Sequence, residues 1–281
     1  MISNILINGV SVNLSGKRLI NSLAGTSSPQ IEVTGFGRSG GDGVALSQPA
    51  YRNFSLSFGV LISGSSQSDL VTQKQRFLSL LSVDPSISSS ARQTFTFVTA
   101  AGEQLRCDAV VTSIDQQIAP ADYNTAQVLV QLQSERSYFS GTSKTASLGI
   151  ANLGGLTLPM NIPTAMNLNA SAQLYTSLNN AGNAYAHLTA TIAGPCSGFI
   201  LLNYTRSLRL QCTQTLSATD SLALDFYQHT AILNSATNIL QTVSGTWWTV
   251  APGINSILFA ANDTTAATSA TLNYADAYLG I

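Results

Sequence analysis

The chain has 281 residues, with 12 basic and 13 acidic side chains and a formal net charge of -1. That length suits about two domains. Charged residues make up only 9%, against roughly a quarter in ordinary soluble domains, which excludes the basic footprint that nucleic-acid binding requires. A surface built instead from Ser, Thr, Asn, Gln and Gly repels its own copies little and loses little on desolvation, as suits a subunit buried in an assembly.

The first strands lie in 2–14, where Ile5, Ile7, Val10 and Val12 are apolar and Asn8-Gly9 is a turn signal. A strand over 30–34 runs into Gly35-Phe36-Gly37, and the glycine-rich 38–43 reads as a flexible loop. Phe54, Leu56, Phe58, Val60 and Ile62 then alternate with small polar residues, the period of a half-buried strand. The period changes at Leu70, Lys74, Phe77, Leu78 and Leu81, which predicts one amphipathic helix over 66–83. Ser66 is its N-cap, with Asp69 three residues on, and Asp84-Pro85 is its stop. Alternation returns at Phe95 and Phe97, at Leu105 to Val111, and at Ala126 to Leu132. Strands, one helix and more strands describe an α+β domain or a β-sandwich with an added helix.

The Ser-, Thr- and Gly-rich 140–155 reads as the boundary between domains 1–145 and 146–281. Beyond it, strands are expected at 185–193, 198–203, 206–212, 220–226, 246–250, 255–260 and 269–275. Short strands at this spacing mean a sandwich or a jelly roll. The start of the chain lacks the basic opening of a secretory signal, and no run approaches the roughly 18 apolar residues of a membrane helix. Cys107, Cys196 and Cys212 have no metal-type spacing and read as buried thiols, with a 196–212 disulfide as the alternative.

No catalytic, metal or cofactor set is expected. His187 and His229 both fall in predicted strands, and no G-x-S-x-G elbow is present. Asp220, Asp225, Asp263 and Asp276 could supply paired carboxylates for glycoside hydrolysis, but they read more simply as solvated or turn-forming acids. Two binding features stand out. Residues Phe36, Arg38 and Asp42 lie in a loop able to reach a neighbouring subunit. Trp247 and Trp248, adjacent in a predicted strand, should face opposite ways, one buried and one free to stack on a glycan or a partner.

Several of these pieces occur in an order that resembles the distal tail proteins of long-tailed bacteriophages. They are Gly35-Phe36-Gly37 with Asp42-Gly43, the strand around 52–64, and the helix ending Arg76-Phe77-Leu78. Thr94-Phe95-Thr96-Phe97, Ser137-Tyr138-Phe139, Leu153-Gly154-Gly155 and Thr157-Leu158-Pro159 follow, then Pro252-Gly253-Ile254-Asn255 and the ending Ala277-Tyr278-Leu279-Gly280-Ile281. Asp276 stands before the terminal tyrosine without the basic residue that the family often places ahead of it.

The resemblance implies a mainly β protein with two domains. The first would be sandwich-like with one α-helix and ring-forming, commonly as a hexamer. The second would be a galectin-like or carbohydrate-module-like β-sandwich. It further implies a location at the distal end of the tail in the virion, after synthesis in the host cytoplasm. The implied partners are the tail tube protein, a hub or tail-lysin protein, and receptor-binding proteins or fibres. Neither nucleic-acid binding nor membrane insertion is implied. The alternative function is a carbohydrate-binding adhesin module that contacts a host glycan through Trp247 or Trp248.

Overall fold

The computed structural model describes residues 2–26, 29–33, 35–37, 44–46, 50–82, 92–118, 124–149, 175–265 and 267–281. It is mainly β with one α-helix, and it divides into two units: Met1–Thr142 with Tyr278–Ile281, and Ser143–Ala277.

In the first unit, β1 (Ile2–Ile7) and β2 (Val10–Ser11) form a hairpin. Its turn residues Asn8 and Gly9 have φ of 50° and 83°, the left-handed pair that a two-residue hairpin loop needs. Next come β3 (Arg18–Ala24), β4 (Ile31–Glu32), β5 (Gly35–Gly37), β6 (Val44–Leu46), β7 (Ala50–Tyr51) and β8 (Ser55–Ser63). Helix α1 (Gln67–Leu81) leads to β9 (Gln93–Thr99), β10 (Gln104–Ile118), β11 (Thr125–Ser134) and β12 (Phe139–Leu148), of which the residues from Ser143 on belong to the second unit. Antiparallel pairing gives the order β3-β8-β11-β10-β9-β1-β2, in which the long β10 pairs with β11 over one half and with β9 over the other.

The alternation along β8 lands as the sequence predicts: Leu56, Phe58, Val60 and Ile62 are buried. They join Ile5, Ile7, Phe95, Phe97, Val128, Val130 and Phe139 in one core, and each such side chain contributes about 2 kcal/mol of burial. Phe139 is its aromatic hinge point, 4.6 Å from Phe54 and 5.7 Å from Phe97 between ring centroids.

Helix α1 closes this core with Leu70, Gln73, Phe77 and Leu81. The expected stripe is right except that Gln73, not Lys74, turns inward, where its amide donates to Asp69 at 3.1 Å. Ser66 is the N-cap, its hydroxyl accepting the Asp69 N–H at 3.2 Å. The predicted stop at Asp84-Pro85 lies outside the described residues; the helix ends at Leu81.

The stretch 140–155, which the sequence marks as the domain boundary, is a strand as far as Leu148. Its Ser and Thr residues reflect exposed faces rather than missing structure, since Thr is itself a good strand former. The junction motifs at 153–155 and 157–159 lie outside the described residues.

The second unit continues with β13 (Tyr175–Asn180), β14 (Leu188–Ala193), β15 (Cys196–Asn203), β16 (Leu208–Leu216), β17 (Ser221–Asp225) and β18 (Thr230–Leu233). The last strands are β19 (Thr237–Asn238), β20 (Val243–Gly245), β21 (Gly253–Ala261) and β22 (Ser269–Tyr278). One sheet has the order β13-β21-β15-β16-β20, and the other contains β19-β18-β17-β14-β22. The two inner faces supply Leu178, Leu201, Leu210, Phe259, Ile192, Leu222, Leu224 and Leu272, all but fully buried. The expected strand at 246–250 is absent: only Val250 makes a bridge, to Ala186. Nor do the histidines sit in strands. His187 precedes β14, and His229 lies in the β17–β18 turn with φ of 53°.

Candidate functional site

The predicted contact residues divide sharply. The backbone of Phe36 pairs with Ala45 in the β5–β6 hairpin, whereas Arg38 and Asp42 lie outside the described residues. Trp248 is 2% exposed and packs on Phe226 with centroids 4.9 Å apart. Trp247 is half-buried, edge-on to Phe226 at 5.3 Å and stacked on His229 at 5.4 Å. Because 246–249 is not a strand, the two indoles do not diverge to opposite sides; both meet Phe226. Tyr227, next in sequence to Phe226, is exposed and stacks on His187 at 3.9 Å. The Arg206 guanidinium lies 5.1 Å from the ring of the exposed Tyr185.

The carboxylates are occupied in holding turns. Asp225 accepts the N–H groups of Tyr227 and Gln228 at 2.8 and 2.9 Å. Asp220 accepts the Asn234 amide and the Ser217 N–H, which together hold its carboxyl below the usual range. A general acid requires the opposite shift. Asp263 is engaged by the Ser197 hydroxyl. The thiols are equally quiet. Cys107 is buried beside the Ser134 hydroxyl at 3.4 Å, and burial pushes it up to about 11, so the reactive thiolate is scarce at neutral pH. Cys196 and Cys212 are buried free thiols. Among the described residues no cluster of His, Cys, Asp and Glu could hold a metal, and no helix is long and apolar enough to cross a membrane.

Asp276 supplies what sequence reasoning missed. Its carboxylate accepts Lys144 Nζ at 2.7 Å and the Ala181 N–H at 2.8 Å. The cation absent from its own strand comes from 132 residues away. Lys144 also donates to the Asn179 carbonyl at 2.8 Å, and Tyr274 Oη accepts the Asn179 N–H at 3.0 Å. These contacts tie β12, the end of β13 and β22 together. No local pattern announces the pairing.

The chain is thus mainly β, with acids that cap turns, buried thiols, and aromatic residues that pack on one another. Residues 181–278, within the second unit and its last strand, match the siphovirus-type tail component family, C-terminal domain. The fold of the whole chain is similar to that of the Dit protein of phage SPP1, a paradigm of the hub adsorption apparatus in phages that infect Gram-positive bacteria. That likeness has a TM-score of 0.62 at 13% identity and covers 98% of both chains. A chain of the phage P2 baseplate, in its activated conformation with Ca, is similar at a TM-score of 0.50 and 10% identity, with 98% of both chains covered. No curated protein matches. The chain thus carries a tail-component match over 181–278 and, over nearly its whole length, a fold similar to that of the SPP1 Dit protein.

Proposed function

We propose that this chain is the distal tail protein of its phage: a closed, commonly hexameric ring that continues the tail tube and carries a hub or tail-lysin protein below. Receptor-binding proteins or fibres dock on its periphery. The observation that carries this reading is the coincidence of a tail-component match in the second unit with a Dit-like fold over 98% of the chain. Low charge supports it, because a ring buries a different patch of each subunit on either side by heterologous contacts that close. The turn-capping acids and buried thiols support a role without catalysis. In solution, light scattering coupled to size exclusion should give a mass near six chains, and negative-stain images should show rings. A monomer at high concentration, which also fails to bind the tail tube of its own phage, would refute the reading.

A further inference from the structure

The two sheets of the second unit present different outer faces. In the sheet containing β14, β17 and β22, the outward residues are Thr189, Thr191, Ser221, Thr271 and Asn273, an ordinary solvated surface. On the five-stranded sheet the cross-strand register brings together Tyr175, Leu258, Leu202 and Arg209 in one row. The next row is Ala260, Ile200, Gln211 and Ser244. This face therefore has an apolar middle with neutral polar groups and one arginine at its side. At one end a β-bulge between Ser197 and Phe199, with Gly198 at φ of 80°, bends β15 and leaves a cavity of about 270 Å³. Ile200 and Ala260 are among its apolar lining, and Arg209, Gln211, Thr213 and Asn262 are among its polar lining.

We propose that this cavity binds a neutral saccharide, one or two hexose or N-acetylhexosamine units long. This goes beyond the ring reading and does not depend on it. Size argues for a small ligand. The cavity is close to the roughly 300–1,000 Å³ of small-molecule sites. Chemistry argues for a sugar. An apolar floor of Ile200 and Ala260 suits the C–H face of a pyranose, while planar groups beside it suit paired hydroxyls. The side-chain amides of Gln211 and Asn262 and the Arg209 guanidinium have no partner among the described residues, so their hydrogen-bonding capacity is unspent. Thr213 donates to the Thr242 carbonyl at 3.3 Å and keeps its acceptor lone pairs. Asp263, next in sequence to the lining residue Asn262, is engaged by Ser197, and a lone arginine is too little positive charge for a phosphorylated ligand.

The test is saturation-transfer NMR on the full chain, which reads the ligand and tolerates a large assembly. Lactose, maltotriose, cellotriose and chitotriose serve as probes at up to about 10 mM, the millimolar range of weak single-site binding. At least one should receive saturation. Gln211→Ala should weaken its binding about tenfold, the effect of one good hydrogen bond. Ile200→Arg, which fills the floor, should abolish it, and Thr191→Ala on the opposite sheet should leave it unchanged. Gln211→Ala retains the fold even if Ile200→Arg does not. No saturation with any probe would overturn the proposal. So would saturation that survives both cavity variants, or that is lost only on Trp247→Ala. Ring mass is measured separately, so failure here leaves the ring reading intact.

Discussion

Asp69 in the first unit and Asp276 in the second do similar work under different conditions. Each holds a lysine and a backbone N–H. Asp69 gathers Lys17, the N–H and hydroxyl of Ser65, and the Gln73 amide. Asp276 gathers Lys144 and the Ala181 N–H. The side chain of Asp69 is 22% exposed and that of Asp276 only 9%. Water can replace much of what Asp69 loses, because exposed pairs gain little over solvation. Behind Asp276 there is little water to replace anything, so its partners depend on it. The difference teaches that partner number is a poor guide to consequence, and that access of solvent decides it.

The sharpest way to break this contrast is Asp276→Ala. It leaves Lys144 and the Ala181 N–H without their acceptor and should cost about 3 kcal/mol, as for other broken buried pairs. Trp247 and Trp248 are the only tryptophans and both lie in the second unit, so tryptophan fluorescence during urea unfolding reads that unit alone. A midpoint unchanged from wild type would show that the pair is inert. Lys144→Met should cost less, about 2 kcal/mol, since its side chain is about a third exposed and only part of the pair energy survives solvent. In the double variant the two losses should fall well short of additive, because the second change removes a partner already lost. Full additivity would mean that each residue acts through other contacts.

The same contrast explains what could be read from sequence. Asp69 was legible because its role is local: Ser66 and an acid three residues on are a helix start whatever the rest of the chain does. Strong alternation exposed β8 through β11 and most of β14 to β17 in the same way. Lys144 and Asp276 carry no such signal, since only the completed sheet brings them together. Strands β3, β6, β7, β12, β13, β18, β19 and β20 were missed because most are short and the longer β3, β12 and β13 mix apolar and polar residues without a clean period. The tryptophans were misplaced for the converse reason, as an apolar aromatic run that looks like a strand here crosses irregularly to Val250. The cavity beside Gly198 depends on a bulge and on the register of three strands, neither of which one sequence displays.

Two smaller effects sharpen the exposed side of the comparison. Ser66→Ala removes the hydroxyl that accepts the Asp69 N–H and should cost about 1 kcal/mol. Faster hydrogen exchange in the first turn of α1, with the second unit unaffected, is the expected signature. Exchange that rises equally throughout the helix would point to something other than a cap.

The smallest effect is the acid response of Asp69 itself. The Lys17 hydrogen bond, followed by those from Ser65 and Gln73, pulls its carboxyl well below the ordinary carboxylate range. A carboxyl depressed in the folded state stabilises above its unfolded value, about 4, and loses that contribution as pH falls toward the folded value. From pH 7 to about 5 wild type and Asp69→Asn should therefore keep a constant gap in stability, which closes on further acidification. Calorimetry of the full chain measures it, the transition silent in tryptophan fluorescence belonging to the first unit. Because both partners meet solvent, about 1 M salt should narrow the gap at neutral pH, where the Debye length falls to about 3 Å. A gap that widens in acid would reverse the sign of the argument. One that ignores salt would show that the hydrogen bonds from Ser65 and Gln73, rather than the charge on Lys17, hold the carboxylate.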